Sequence, residues 1–235
     1  MRPALGARSL HVWRIEVRQP RDVLRELRAL LTPDEEERAE RFRFDRDRDS
    51  FVCTRAALRM LAGSYLGMAP QDVSFSYAGK GKPGLPGISF NVSHAGDVAL
   101  AAFARSGRVG VDVEEMRPGT DLRALARRFF SPGENAGLER LDGDAFVTGF
   151  YRCWTRKEAF VKALGEGLSF DLGRVEVSTG PDARVVSVDG DEGAGSLWSI
   201  ADISPRDGYA GAVVADVAAA DVVLRDWPGL SVTAV

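Results

Sequence analysis

The order of the secondary-structure signals constrains this chain most, because helix patterns followed by strand patterns occur twice along it. Two segments, Thr32 to Glu35 and Ser131 to Glu134, each combine a capping residue, a proline at the first helical position and a glutamate three residues after the cap. Each predicts the start of a helix. Helices then strands, twice over, predict an α+β protein whose two halves are related by an approximate two-fold axis, although no repeat is visible residue by residue.

Periodicity places the individual elements. In the first half we predict helices over 23–31, 32–42 and 51–66, and strands over 10–17, 73–77, 88–92, 98–104 and 109–114. In the second half we predict helices over 122–130, from Ser131 and over 146–164, and strands over 175–178, 185–188, 197–203 and 209–217. A Pro-Gly boundary near residues 116–119 divides the chain into an N-terminal half, 1–115, and a C-terminal half, 116–235.

Composition argues against several classes of function. The 235 residues carry 31 basic and 34 acidic side chains, a formal net charge of -3, which argues against a broadly basic nucleic-acid-binding surface. Cys53 and Cys153 are too few for a disulfide framework or a cysteine-based zinc site, so we expect buried thiols in a reducing compartment. No apolar run approaches the roughly 18 residues that a membrane-spanning helix needs. We therefore expect a soluble, cytoplasmic monomer that binds neither membrane nor nucleic acid.

Acidic side chains in two segments form candidate sites. The stretch Val109 to Glu115 alternates at the period of a strand, which places Asp112 and Glu114 on one face. Two carboxylates about 7 Å apart along a strand can converge on a hard cation such as Mg²⁺. In a later helix, Glu158 and Lys162 share a face at i, i+4. Each pair also has a structural explanation, a solvated strand face for the first and a helix-stabilising ion pair for the second.

A third segment is suited to anions. Gly79 to Gly84 supplies glycines and lysines, and Ser93 and His94 end the strand that follows. Glycines let the backbone approach a ligand closely, and a strand end can direct side chains and amides toward a phosphate. The segment lacks the order of a Walker loop, and a hairpin connection would explain its glycines as well. Arg48 and Arg55 could add bidentate phosphate contacts or be solvated helix charges.

Together the three segments resemble the three sequence blocks of the 4'-phosphopantetheinyl transferases, in the long, two-domain form that activates nonribosomal peptide and polyketide synthetases. Gly81-Lys82-Pro83 with Phe90-Asn91-Val92-Ser93-His94 resembles the first block. Gly110-Val111-Asp112-Val113-Glu114 resembles the second. The stretch from Trp154 to Lys162 resembles the third. All three occur in the family's order, which makes coincidence improbable.

The resemblance implies a fold and a set of ligands. The fold is two similar α/β-sandwich halves related by a pseudo-two-fold axis, with the active site and coenzyme A in the cleft between them. The implied cofactor is Mg²⁺, with Asp112, Glu114 and Glu158 as its ligands. The residues that the resemblance assigns to coenzyme A belong to the first and third blocks: Lys82, Pro83, Ser93, His94 and Lys162. We add Arg48 and Arg55 as candidates for the 3'-phosphate.

The implied reaction is transfer of 4'-phosphopantetheine from coenzyme A to a serine of an acyl or peptidyl carrier protein, which releases adenosine 3',5'-bisphosphate. The implied catalytic residues are Glu158, the candidate general base, with Lys162 and His94. Because carrier domains are acidic around the modified serine, we expect a docking surface that includes Arg123, Arg127 and Arg128. Two alternatives stay open, a magnesium-dependent nucleotide phosphohydrolase and a non-catalytic protein that binds coenzyme A.

Overall fold

Helices and strands alternate along the chain as the sequence predicts. The computed structural model describes residues 3–78, 82–117, 121–167, 170–217 and 219–232. The helices are α1 (Arg21–Arg28), α2 (Pro33–Glu40), α3 (Asp45–Leu66), α4 (Leu122–Phe129), α5 (Pro132–Leu138), α6 (Gly143–Leu164) and α7 (Glu192–Gly195). The strands are β1 (Ser9–Glu16), β2 (Ser76–Ala78), β3 (Lys82–Gly84), β4 (Ser89–Ala95), β5 (Val98–Ala104), β6 (Val109–Glu115), β7 (Val175–Val177), β8 (Val185–Val188), β9 (Ser199–Ile203), β10 (Tyr209–Ala215) and β11 (Asp221–Asp226).

Local chemistry explains where the long helices begin and end. Both capping boxes form, and α3 and α6 each end at a glycine in the left-handed conformation, with φ of 73° at Gly67 and 77° at Gly165. Helix α3 begins at Asp45, earlier than the predicted 51–66, because Asp45 and Asp47 in its first turn complement the helix dipole. No helix in the described ranges is both long and apolar enough to cross a bilayer.

The two sheets repeat one topology. The first has the strand order β11-β1-β5-β4 and the second the order β6-β10-β9. Without β11, the orders are β1-β5-β4 and β6-β10-β9. In each sheet, the strand that comes first in the chain pairs with the strand that comes last. The strand that lies between them in sequence pairs with the other side of the last strand and forms an edge. In each half the long helix lies between the first and second strands of the sheet in chain order. The predicted α+β fold of two similar halves is therefore confirmed, and the repeat comprises β1 to β5 and β6 to β10.

Four layers stack in the order helices, sheet, sheet, helices. One core cluster lies between helices α1 to α3 and the first sheet, and a second lies between α6 and the second sheet. The third cluster joins the two sheets and contains valines and leucines of β1, β5, β6 and β10. Strand β5 is buried along its whole length because both of its faces contribute to cores.

A repeat at the residue level, which sequence analysis did not find, lies beneath the capping boxes. The glutamate of each box is buried and paired with a cation of the long helix, Glu35 with Arg59 at 2.6 Å and Glu134 with Lys157 at 2.6 Å. Each cation also donates to a carbonyl of the chain that follows the long helix, Arg59 to that of Val73 and Lys157 to that of Val175. The repeat escaped detection because arginine replaces lysine and the spacing differs by one residue.

Sheet pairing divides the chain earlier than the predicted halves do. Strand β6 pairs with β10, so the repeat changes between Ala104 and Val109, whereas the predicted division falls after residue 115. The Pro-Gly positions 118 and 119 of that boundary lie outside the described residues. Strand β11, which was not predicted, returns to pair in parallel with β1. As a statement about separately folding units, the division into 1–115 and 116–235 stays a prediction.

Candidate functional site

Gly110 allows helix α6 to pack directly on strand β6. A Cβ at this position would overlap the carbonyl oxygen of Ala159 and the backbone nitrogen of Ala163. The valines of β6 face the other sheet, so the two-residue period places Asp112 and Glu114 on the same side as Gly110, toward α6. The helix therefore delivers its own polar side chains to this face of the strand.

Three elements converge on Asp112. The Lys162 ammonium of α6 donates to Asp112 Oδ1 at 2.6 Å and to Ser93 Oγ of β4 at 2.8 Å. Ser93 Oγ in turn donates to the same carboxylate oxygen at 3.0 Å. Asp112 and Ser93 are both buried, whereas Lys162 is partly open to solvent. The predicted Asp112, Lys162 and Ser93 are thus brought together at the seam between the two halves.

Glu114 and Glu158 lie beside this network, and the charge of Asp112 affects their pKa values. Burial, followed by the negative charge of Asp112, raises the pKa of Glu114, while Lys162 and a hydrogen bond from Trp154 oppose the rise. Burial and then Asp112 also raise the pKa of Glu158, again against Lys162. Burial raises the pKa of Asp112 itself. Carboxyl groups with raised pKa values are suited to accepting a proton or to meeting a cation.

The positions of Asp112, Glu114 and Glu158 show whether these residues could bind a divalent metal ion. No three His, Cys, Asp or Glu side chains within the described ranges are grouped as a ready metal site. Asp112 Oδ2, however, is buried and has no hydrogen-bond partner there. A hard cation would satisfy this oxygen and offset the burial and the Asp112 charge that raise the pKa values of Glu114 and Glu158. The oxygen-only chemistry of these donors therefore suits Mg²⁺, although the three carboxylates are not grouped around one point in the described residues.

A cleft of about 670 Å³ lies beside the network. Ser93 faces the buried network, and the alternation of β4 sends its neighbour His94 to the opposite face, into the cleft. Burial of the ring and then the Lys162 ammonium lower the pKa of His94, while Asp47 opposes them. Pro83 also lines the cleft. Lys82 begins β3, but its side chain lies outside the described part of the structure.

The two predicted phosphate arginines separate. Arg55 lines the cleft, buried, with its Nε 3.5 Å from Glu35 and its guanidinium 4.9 Å from the centre of the Phe75 ring. Arg48 instead lines a different groove beside α1 and donates to Asp45 at 2.7 Å. Seven residues make about two turns of α3, so the two side chains point in similar directions at different heights along the helix. Arg48 lies in the other groove beside Asp45, and the structure does not bring it to the cleft.

Sequence analysis missed two residues that the geometry makes prominent. Arg38 of α2 lines the cleft, with its guanidinium over the Phe51 ring at 5.2 Å. The sequence predicts the helix over 32–42 but does not single out Arg38 among its charged residues. Asn91 accepts the backbone N–H of Val111 at 2.9 Å and so links the edge strands β4 and β6. Because Asn91 lies within the first motif, between Phe90 and Val92, the sequence could have marked it as a candidate.

The arginines predicted to form a docking surface lie on α4. The Phe129 ring at its end is 5.8 Å from the ring of Trp154, the residue that hydrogen-bonds to Glu114. Arg127 and Arg128 are exposed at this end. Arg123 is turned away and bonds to Asp142 at 3.2 Å, with its guanidinium over the Phe146 ring. Only two of the three arginines therefore lie at the end of α4 that approaches the acidic residues.

Two family models match the two halves of the chain in sequence. A family model described as the 4'-phosphopantetheinyl transferase superfamily matches residues 108–214, and one described as 4'-phosphopantetheinyl transferase, N-terminal, matches residues 19–105. The two matches meet where the structural repeat changes. A solved ACPS–CoA complex from Chronobacterium ammoniagenes covers 46% of this chain and 95% of its own, at 21% identity and a TM-score of 0.33, an overlap too partial to add to the assignment.

Curated relatives agree over longer stretches. The 4'-phosphopantetheinyl transferase HetI of Nostoc is 37% identical over 87% of this chain and 86% of its own. A putative 4'-phosphopantetheinyl transferase of Synechocystis is 40% identical over 63% of this chain and 62% of its own. The transferase Sfp of Bacillus subtilis is 32% identical over 67% of this chain and 70% of its own. The chain therefore belongs to the 4'-phosphopantetheinyl transferase family and is an enzyme of that class.

Proposed function

We propose that this enzyme transfers the 4'-phosphopantetheine group of coenzyme A to a serine of an acyl or peptidyl carrier protein. The observation that carries the proposal is the seam between the halves, where Lys162, Asp112 and Ser93 are bonded to one another beside a cleft large enough for a nucleotide. The raised pKa values of Glu114 and Glu158 support a role for one of them as a proton acceptor. The chain needs no nucleophile of its own because the carrier supplies one.

Mg²⁺ would be held by Asp112, Glu114 and Glu158. When bound, the ion would neutralise charge on the diphosphate and polarise the phosphorus that is attacked. The orphaned Asp112 Oδ2 supports this assignment. These ligand roles came from the resemblance and are proposals for this chain.

The chain's own residues then have distinct roles in the displacement. The Glu158 carboxylate takes the proton of the carrier serine, whose oxygen forms a bond to the phosphorus on the pantetheine side. The bond from that phosphorus to the bridging diphosphate oxygen breaks, and adenosine 3',5'-bisphosphate leaves with the electron pair. The Lys162 ammonium offsets the charge that develops on the leaving group. Positioning and charge neutralisation supply most of the catalysis.

The cleft would hold the nucleotide part of coenzyme A. Arg38 and Arg55 line it, and His94 opens into it next to Ser93, so its walls can meet phosphate oxygens near the network. Pro83 lines another part, consistent with an adenosine end there, and Lys82 precedes it in the chain. Arg48 lies outside the cleft, so it is not among the residues proposed to bind coenzyme A.

Mass spectrometry tests the reaction. An apo carrier protein incubated with coenzyme A, Mg²⁺ and this enzyme should gain the mass of one phosphopantetheine group. A matched Asp112→Asn enzyme should leave the carrier unmodified, because the change removes the charge that Lys162 neutralises while retaining the size of the side chain. A phosphohydrolase would degrade coenzyme A without a carrier, and a protein that only binds coenzyme A would leave both unchanged. Either result would contradict the proposal.

Carrier docking is proposed at the exposed end of α4, where Arg127 and Arg128 suit an acidic partner. Reversing both charges to Glu should raise KM for the carrier about tenfold and leave KM for coenzyme A unchanged, because rim charges act on association. The same two reversals at Arg21 and Arg25 of α1 serve as the control. Equal effects of the two double variants would contradict the assignment. A monomeric, cytoplasmic enzyme stays a prediction.

A further inference from the structure

The turn between β4 and β5 contacts the second half of the molecule. Its residues, Gly96 and Asp97, follow the end of the strand that carries Ser93 and His94, and both line the cleft. The backbone N–H of Asp97 donates to the hydroxyl of Tyr209 at 3.2 Å. Because Tyr209 begins β10 of the second sheet, this hydrogen bond joins the two halves beside the candidate site.

Gly96 allows the turn to approach this closely. It has a φ of 53°, in the left-handed region that favours glycine. A Cβ on Gly96 would overlap the Tyr209 hydroxyl and would lie 2.9 Å from Glu115 Oε2. Tyr209 and Glu115 are opposite each other at the end of the β10–β6 ladder. The turn therefore packs directly against the last residue pair of that ladder.

Asp97 is also fixed in its own half. Its carbonyl oxygen accepts the backbone N–H of Val17 at 3.0 Å, and its carboxylate lies 3.0 Å from the Arg18 guanidinium. The Tyr209 hydroxyl is therefore bonded to an ordered part of the first half, and the bond can fix one half relative to the other.

Strand β4 is linked to the second half on both sides of its polar residues. Near its start, the Asn91 side chain bonds to the backbone of β6, and beyond its end the turn bonds to Tyr209. Ser93 and His94 lie between these two links. Since β4 is an edge strand of its own sheet, its position relative to β6 depends on side-chain contacts of this kind.

We propose that Tyr209 is a positioning residue for the transfer reaction, an inference that rests on the proposed function. By holding the turn, its hydroxyl fixes the end of β4 relative to Asp112 and Lys162 of the other half. Tyr209 itself does not touch the substrates. The nucleotide part of coenzyme A would bind mainly to the first half, whereas the displacement needs groups of both halves at a fixed separation. Loss of the link should therefore affect kcat more than KM for coenzyme A.

Tyr209→Phe tests the role of the hydroxyl. The change keeps the ring, which packs against the core between the two sheets. Since one net hydrogen bond is lost, kcat should fall about threefold to tenfold, while KM for coenzyme A should change less than about twofold. Hydrogen exchange in the ligand-free, full-length enzyme should become faster in the β4–β5 turn, because the Asp97 N–H loses its partner.

Tyr151→Phe is the matched control. The Tyr151 hydroxyl accepts the backbone N–H of Arg117 at 3.2 Å, and Arg117 also lines the cleft. Both of these residues follow β6 in the second half. The two variants therefore lose the same kind of bond and differ in whether that bond joins the halves. The control should retain the wild-type kcat and the wild-type exchange rate in the β4–β5 turn.

A double variant separates positioning from a general weakening of the fold. Ser93→Ala removes the hydroxyl of β4 that bonds to Asp112 of the other half. If Tyr209 acts through β4, Tyr209→Phe should lower kcat by a smaller factor in the Ser93→Ala enzyme than in the wild type. A merely structural effect would lower kcat by the same factor in both.

Four results would overturn the inference: wild-type kcat in Tyr209→Phe, an equal loss of kcat in the Tyr151→Phe control, unchanged exchange in the β4–β5 turn, or equal factors in the two backgrounds. Each leaves the proposed function standing, because the wild-type enzyme still modifies the carrier. A wild-type enzyme that modifies no carrier would refute the proposed function, and with it the role of Tyr209 in transfer. The exchange measurement would still test the contact between the halves, because it needs no substrate.

Discussion

Gly110 shows how one missing side chain determines the geometry of the site. Its Cα faces the Ala159 carbonyl of α6, and there is no room for a methyl group between the strand and the helix. We predict that Gly110→Ala pushes α6 away from β6, lowers stability by about 2 kcal/mol and separates Lys162 from Asp112. Urea denaturation and the carrier-modification assay measure the two effects. Activity should fall more than the loss of folded protein explains.

Gly180 provides a matched control for this change. A Cβ there would meet no atom within 4 Å, so Gly180→Ala should alter neither stability nor transfer beyond a few tenths of a kcal/mol. If Gly110→Ala were as harmless as this control, the close approach of α6 to β6 would not set the geometry of the site.

His11 provides a pH-dependent element far from the cleft. Trp13 donates to the Tyr65 hydroxyl at 2.9 Å, and this hydroxyl is hydrogen-bonded to His11 Nδ1 at 2.7 Å. Burial and then Arg225 lower the pKa of His11 below 6.5. When pH falls through 6.5, the unfolded chain therefore takes up a proton that the folded chain refuses, and the free energy of unfolding decreases.

The prediction is that His11→Gln, which does not titrate, loses less stability than the wild type between pH 7.5 and 5.5. Urea denaturation across this range gives the two slopes. His94 also has a lowered pKa, so His94→Gln is the comparison that separates the two histidines. An unchanged slope in the His11 variant would show that this imidazole is protonated equally in the folded and unfolded chains.

The capping box of α5 depends on a buried ion pair. Glu134 accepts from the Ser131 and Val177 backbone N–H groups and from Lys157, and neither Glu134 nor Lys157 is exposed. Glu134→Gln leaves the ammonium buried without a charge partner. Because breaking such a pair leaves an uncompensated charge, we predict a loss of about 3–5 kcal/mol in the free energy of unfolding.

Glu139, exposed at the end of the same helix, is the control. Glu139→Gln should change the free energy of unfolding by no more than about 0.5 kcal/mol, as expected for a surface substitution. Chemical denaturation of both variants at pH 7 measures the difference. If Glu134→Gln were equally mild, the repeated glutamate–cation pairs would not stabilise the two halves.

At the scale of elements, the bounds of helices and strands could be predicted where capping residues and apolar periodicity determine them. The capping boxes and the apolar periodicity gave α2, α5 and α6 within a few residues, and β5 at its observed bounds. The assignment of β6 to the second sheet was not accessible, because strand pairing depends on contacts a hundred residues away. Strand β11 was missed for a different reason: it is mostly exposed, so its sequence lacks a clear two-residue alternation of apolar and polar residues.

For the candidate site, the sequence indicated the candidate residues better than it indicated the positions of their side chains relative to one another. Lys162, Asp112 and Ser93 come together as expected because each lies in a regular element whose face can be read from its period. Arg48 and Arg55 point in similar directions from α3 two turns apart, so they could not be distinguished without knowing where along the helix the cleft ends. A solvated strand face was the alternative explanation for Asp112, and the structure shows this residue buried, since β4 and α6 both cover it.

For the whole molecule, the seam between the halves explains why the site lies where it does. Two edge strands, β4 and β6, meet there without forming a ladder, and the Asn91 side chain supplies a hydrogen bond that a paired backbone would have made. The gap between the two strands leaves room for Ser93 and Asp112 to bond across it. The duplicated fold therefore produces one asymmetric cleft between two similar sheets.

The end of the chain completes the first half rather than the second. Trp227 follows β11, donates its backbone N–H to the Arg14 carbonyl at 2.8 Å and packs in the core under α1 to α3. We predict that Trp227→Ala lowers the free energy of unfolding by about 3 kcal/mol, the cost of removing a large buried aromatic. Val223→Ala, on the exposed part of β11, should cost less than about 1 kcal/mol. Hydrogen exchange should show the loss of protection concentrated in β1, β4 and β5. Equal loss in α6, or none, would mean that the C-terminal segment does not hold the first sheet together.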